Sequence, residues 1–209
     1  MLATSSRIAF FQAGYASSIP VTRSTSAQFQ PLDCVVSTER RQFDPLAPSG
    51  DPPAVGLNPT QADAATNLFG PVAIATSGGW INDPYEADQA TIAVESNFTI
   101  DGVDFLDDCS GHFNLMGYHD HGIRYCLTAE IDTTGQHSAL LGFAADGFPV
   151  YGPQGTDGSE VTGLDDCRGE YGPTPEFPDG IYHYHLTTVF PYTTLCLSGT
   201  VAESAHAGH

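Results

Sequence analysis

Leu164-Asp165-Asp166-Cys167-Arg168-Gly169-Glu170, then Ile181-Tyr182-His183-Tyr184-His185, then Leu195-Cys196-Leu197, is a text that this chain contains twice. The earlier version reads Leu106-Asp107-Asp108-Cys109-Ser110-Gly111-His112, then Gly117-Tyr118-His119-Asp120-His121, then Tyr125-Cys126-Leu127. A cysteine, two histidines at i and i+2, and a second cysteine recur in the same order. The correspondence extends upstream, where Ile74-Ala75-Thr76-Ser77-Gly78-Gly79-Trp80-Ile81-Asn82-Asp83-Pro84 aligns without a gap on Phe143-Ala144-Ala145-Asp146-Gly147-Phe148-Pro149-Val150-Tyr151-Gly152-Pro153. Each run is a short apolar stretch that ends in a Gly turn, the pattern of a strand leaving through a tight turn. The chain is therefore expected to be an internal duplication, with copies over about 74–127 and 143–197.

Composition points the same way. Gly and Pro are abundant, charged residues make up only 15%, and long apolar stretches of helical period are missing. Short runs rich in Val, Ile, Thr, Phe and Tyr lie between turn residues, which reads as an all-β sandwich or jelly-roll-like fold with two duplicated halves. The best helix candidate spans Thr60–Leu68, where Asn58-Pro59-Thr60 offers a start signal. A net charge of −19 argues against nucleic acid as a partner. No apolar run is long enough to span a membrane.

Of the five cysteines, none forms a C-x-x-C pair, which argues against a zinc ribbon. The repeat suggests Cys109–Cys126 and Cys167–Cys196, one staple per copy, each worth roughly 3–4 kcal/mol in the chain-entropy model. Cys34 is left over: it could be free, pair between subunits, or displace one of these pairings. Asn97-Phe98-Thr99 is a glycosylation sequon at Asn97. Cysteines and acidity together point to an extracellular protein.

Over roughly residues 70–198 the chain resembles the YHYH domain family of secreted proteins. The resemblance rests on Gly142-Phe143-Ala144-Ala145-Asp146-Gly147-Phe148-Pro149-Val150-Tyr151-Gly152-Pro153, Asp165-Asp166-Cys167 and Pro178-Asp179-Gly180-Ile181-Tyr182-His183-Tyr184-His185-Leu186. It implies a β-rich extracellular domain. The first copy departs from it, since Tyr118-His119-Asp120-His121 has Asp120 where the signature has a second Tyr.

On a strand, residues i and i+2 face the same side. His183 and His185 would project together, with Tyr182 and Tyr184 opposite, and His119 and His121 would do the same. If the copies pack about a pseudo-twofold axis, four imidazoles could converge, a donor set suited to Zn or Cu. His112, Asp120 and Asp146 are candidates for further ligands or for partners behind the ligands. The competing reading makes these histidines structural hydrogen-bonding groups. Calcium is a weaker alternative at Asp101-Gly102-Val103-Asp104 and Asp157-Gly158-Ser159-Glu160, which read better as solvated turns. No G-x-S-x-G or H-E-x-x-H motif is present.

Residues 1–32 are unlike the rest. They hold no acidic residue and two arginines, while the remainder carries all 25 acidic groups against four arginines. The apolar run there is too short, and too interrupted by Gln12, for a signal peptide. One reading is an arm donated as a strand to a neighbouring subunit; a disordered terminus or a first strand of its own sheet are the others. Burying Ile8, Phe10, Phe11 and Tyr15 would supply about 1.5–3 kcal/mol each. Ordering some ten residues costs about 1–2 kcal/mol apiece, so main-chain pairing to an open edge would have to make up the difference. The expected organisation is an arm (1–32), a YHYH-like β domain (33–198) and a flexible tail (199–209). The leading functional expectation is a secreted, non-enzymatic structural protein that self-assembles as an oligomer or filament through its arm. The alternative is a Zn- or Cu-binding protein, or a metal-dependent enzyme, using His119, His121, His183 and His185.

Overall fold

The computed structural model describes residues 58–96, 99–100, 102–107, 109–114, 117–123 and 125–201. The arm with Ile8, Phe10, Phe11 and Tyr15, Cys34 and the sequon at Asn97 lie outside them. In chain order the elements are β1 (Gln61–Asn67), β2 (Pro71–Ala75), β3 (Trp80–Asn82), α1 (Ala93–Ser96), β4 (Thr99–Ile100), β5 (Val103–Asp104), β6 (Gly111–Asn114), β7 (Gly117–Asp120), α2 (Tyr125–Ile131), β8 (Leu140–Ala144), β9 (Pro149–Tyr151), β10 (Gly169–Gly172), β11 (Ile181–His185) and β12 (Cys196–Gly199). The all-β class is as expected from the short alternating runs.

Eight strands form one mixed sheet in the order β10-β11-β9-β8-β2-β3-β7-β6. The order is a palindrome of the repeat: each copy supplies a hairpin (β2-β3 or β8-β9), then a parallel strand carrying the histidine pair, then an antiparallel edge strand. The copies meet where β2 pairs antiparallel with β8, with Ala73 opposite Ala144, Ile74 opposite Phe143 and Ala75 opposite Gly142. Ile74 and Phe143 are the residues that the repeat makes equivalent. A local twofold axis therefore passes through that pair and relates the two half-sheets. The hairpins close through Gly78 (φ 85°) and Gly147 (φ 94°), equivalent positions in the left-handed region that glycine alone adopts without steric cost.

The second layer is the ribbon β1-β12. It lies on the tyrosine face of the sheet: Tyr184 Oη accepts from Ser198 N (2.7 Å), Tyr182 Oη meets Ser198 Oγ (2.8 Å), and Gly199 N donates to Asp146 Oδ2 (2.8 Å). Between the layers sit Val72, Ile81, Phe148, Val150, Tyr182, Tyr184 and Leu197. The helix expected over Thr60–Leu68 is instead β1, paired through Gln61–Gly199, Thr66–Leu197 and Asn67–Cys196. Its alanines favour helix, but that preference is worth only tenths of a kcal/mol per residue, and pairing against β12 overrides it.

Cys167 and Cys196 are bonded, with Cα atoms 5.0 Å apart, and tie the β10 approach to β12. Cys109 is also disulfide-bonded. Among the described residues no helix is long and apolar enough to cross a membrane.

Each repeat is pinned by one aspartate. Asp165 Oδ1 accepts from Cys167 N and Gly169 N (both 2.9 Å), and its Oδ2 from Tyr182 Oη (2.7 Å). Asp107 does the same for Cys109 N, Gly111 N and Tyr118 Oη. The phenol passes directly over a glycine: a Cβ on Gly169 would lie 2.1 Å from Tyr182 Oη. Gly169→Ala is expected to lower the unfolding free energy by about 1–3 kcal/mol, as overpacking does. Gly172→Ala on the same strand meets only an ordinary 3.7 Å contact and should be near neutral. Urea unfolding measures both, and equal effects would remove the special role of the glycine-tyrosine-aspartate contact.

Candidate metal centres

Alternation along β11 sends Tyr182 and Tyr184 into the core and His183 and His185 to the other face, where both imidazoles are almost fully buried. In the first copy β7 turns His119 the same way, and His121 follows it just past the strand end. Each pair gains a third imidazole. His112 on β6 stands opposite His119 in register, with ring centroids 4.2 Å apart. In the second copy the residue opposite His183 is Glu170, and the third ring is His137, from the segment between α2 and β8. Two groups result, His112-His119-His121 and His137-His183-His185, and within each the three ligand nitrogens lie within 4.8 Å of one another.

All six rings are oriented alike. Each Nδ1–H faces a backbone carbonyl: His112 to Phe113 (3.3 Å), His119 to Gly117 (3.2 Å), His121 to Asp83 (2.7 Å), His137 to Ser138 (2.8 Å), His183 to Ile181 (2.9 Å) and His185 to Gly152 (2.6 Å). Donation from Nδ1 leaves the lone pair on Nε2 and fixes the ring, the arrangement that metal-ligating histidines adopt. The Nε2 atoms of His137, His183 and His185 are buried and have no hydrogen-bond partner among the described residues. His112 Nε2 and His121 Nε2 approach to 3.3 Å. With both protons already on Nδ1, that contact sets lone pair against lone pair unless a cation or an added proton lies between.

An added proton is disfavoured. Burial, then the neighbouring imidazoles His119 and His121, push His112 down to about 4. Burial pushes His119 to about 4 and His185 to about 3, and it lowers His121 and His183 as well. The donor set fits a metal better. Ligands about 2.0–2.1 Å from a tetrahedral zinc ion stand roughly 3.3–3.4 Å apart, the spacing of His112 and His121. Three neutral imidazoles leave room for a further ligand, and a water held there would have its pKa drawn towards about 7.

A carboxylate borders each triad. Glu86 Oε2 is 3.9 Å from His112 Nε2; Glu170 Oε1 is 3.7 Å from His183 Nε2 and 3.4 Å from His185 Nε2. His137 is placed by Asp132, whose Oδ1 accepts from Ala139 N (2.8 Å) and whose Oδ2 accepts from Ser138 Oγ (3.1 Å). Ser138 N in turn donates to Gln154 O (3.0 Å), and Gln154 N donates back to Ser138 Oγ (3.0 Å).

The family model described as YHYH protein matches residues 53–162 and 156–199, well over half of the chain. The chain belongs to the YHYH protein family. No curated protein and no solved structure matches it.

The YHYH strand β11 and its counterpart β7 are each second from an edge, on opposite sides of the axis. Five strand spacings of roughly 4.8 Å put them about 24 Å apart. The expected convergence of His119, His121, His183 and His185 on one centre is therefore corrected: the axis runs between β2 and β8, and β3 and β9 stand between it and the histidines. His112 takes a place equal to that of His119 and His121. Asp146 lies on the tyrosine face, where Tyr184 Oη donates to it (2.6 Å), so it does not support the imidazoles. Asp120 occupies the position of Tyr184 and faces the same way, beside Tyr118. The Asp157 turn is closed by its own Ser159, whose N donates to Asp157 Oδ1 (2.9 Å). Cys126 belongs to α2. His137 and Glu86 were not singled out from the sequence; the only signal was Glu170 standing where the first copy has His112.

Imidazoles that refuse protons when folded make stability depend on pH. Below the ordinary histidine value of 6.5 the unfolded chain binds protons that the folded chain does not, so stability falls as pH drops from about 6.5 towards 4. Burial also raises Asp83, Glu86 and Asp146, and these act in the opposite direction. The contribution of the rings is isolated by urea titrations in chelator at about pH 7.5 and 5.5, comparing wild type with His119→Gln. The variant should lose less stability over that interval; an equal loss would show that the buried ring is not resisting protonation.

Proposed function

We propose that this protein binds transition-metal ions, one in each half, in an oxidising extracellular compartment. Zinc and Cu(II) are the ions that three neutral imidazoles suit best. The observation that carries the reading is the shared orientation of the six rings: every Nδ1–H is given to a backbone carbonyl, which leaves the lone pair on Nε2, and the rings stand in two groups of three with ligand nitrogens within 4.8 Å of one another. Such clustering costs free energy in a protein whose histidines serve only as hydrogen-bonding groups. The Cys167–Cys196 disulfide supports the compartment.

Metal analysis of full-length protein purified without chelator tests this. About two ions per chain are expected. His183→Ala with His185→Ala should remove one, and His119→Ala with His121→Ala the other. Folded wild-type protein that takes up no stoichiometric zinc or copper would overturn the reading.

Self-assembly through the acid-free arm is a second reading. What favours it is that β6 and β10 end the sheet, with no strand paired to their outer sides among the described residues, and that Tyr171 on β10 is 73% exposed. Such edges accept an added strand, and a cationic arm complements an acidic body. Electron microscopy of full-length protein beside a version lacking residues 1–30 should show assemblies in the first only; like behaviour of the two sinks the idea.

A further inference from the structure

The two centres reach the same donor composition by different routes. In the first copy the edge strand β6 gives an imidazole, His112, and the loop after β3 brings a carboxylate, Glu86. In the second the edge strand β10 gives the carboxylate, Glu170, and a loop before β8 brings the imidazole, His137. The positions are not interchangeable. Glu86 N donates to Thr91 O just as Gly155 N donates to Ser159 O, so Glu86 is matched by a glycine in the second copy. Counting back from β8 and β2 matches His137 with Leu68, which packs against the core. The copies therefore differ at every one of these positions, and yet both centres hold three rings and one bordering carboxylate.

We infer that Glu86 and Glu170 are the fourth ligands of these centres, giving each half a three-imidazole, one-carboxylate site for a divalent ion. This rests on the reading that the triads bind metal. The oxygen-to-nitrogen separations of 3.4–3.9 Å are those of neighbouring ligands drawn slightly apart around one ion. Glu86 Oε1 is buried and has no hydrogen-bond partner among the described residues, so it can turn to the ion at no loss of existing bonds. One carboxylate also halves the charge that a buried divalent ion would otherwise impose on a low-dielectric site. Mixed nitrogen and oxygen donors without sulfur select zinc and the divalent ions near it over Cu(I), which prefers thiolate and thioether. Three imidazoles and a single carboxylate disfavour calcium, which takes about six to eight oxygen ligands.

The test uses full-length wild type, Glu86→Gln and Glu170→Gln, with Zn2+ affinity from chelator competition and Co2+ absorption as the spectroscopic probe. Each Gln variant should weaken one of two sites at least tenfold and alter the visible bands of about half the bound Co2+. Circular dichroism of the chelated variants checks folding. Glu170→His, which recreates the edge-strand donor of the first copy, should retain the affinity that Glu170→Gln loses. Wild-type affinity and Co2+ spectra in both Gln variants would overturn the inference and leave the triads as metal sites. A wild type that binds neither ion would instead overturn the reading beneath it.

Discussion

The hydrogen bond from Tyr182 to Asp165 is the contact on which the second half of the molecule depends. It links the disulfide loop, where Asp165 also accepts from Cys167 N and Gly169 N, to the second residue of β11. A hydrogen bond to a charged carboxylate contributes about 1.5–3 kcal/mol. Its structural effect is larger than its energy. A slip of one residue in β11 would turn His183 and His185 into the core and the tyrosines out, because the side-chain period is two. Holding Tyr182 on Asp165 forbids that slip, and Asp107 with Tyr118 does the same for β7.

The halves are alike in frame and unlike at the centres. Glu170 is over a third exposed whereas Glu86 is mostly covered, so the two triads meet solvent through different doors. Tyr151, packed edge-on to His137 and His183, has Asn82 as its counterpart in the first copy. Its hydroxyl donates to Glu176 Oε2 (2.9 Å) and lies 2.8 Å from Thr174 Oγ1, which fixes one wall of the second centre. Burial raises that phenol far above its usual range, and it stays neutral.

Much of this was legible in the sequence, because periodicity and repetition are local signals. The alternation in Tyr182-His183-Tyr184-His185 assigns each side chain to a face, and the repeated order of cysteines and histidines pairs Cys167 with Cys196. What was not legible depends on contacts between distant segments. His137 enters its centre from a loop nearly fifty residues before its partners, placed by Asp132 and Ser138. Residues 61–67 have a helical composition and become a strand only because β12 is there to pair with. The four histidines of the two motifs were expected together because a twofold axis was expected; the axis exists, but symmetry alone does not say how far from it a strand will lie.

That axis, through Ile74 and Phe143, gives the interface of β2 with β8 the geometry of an isologous contact, one surface meeting its own copy. Two separate repeats would have to find each other by collision. Joined in one chain they meet at an effective concentration set by the connection, on the order of millimolar for a short flexible one. Covalent linkage also frees each half from serving both sides of the interface at once. A change at the edge of one repeat need not appear in the other, so Glu170 can stand on one flank and His112 on the other.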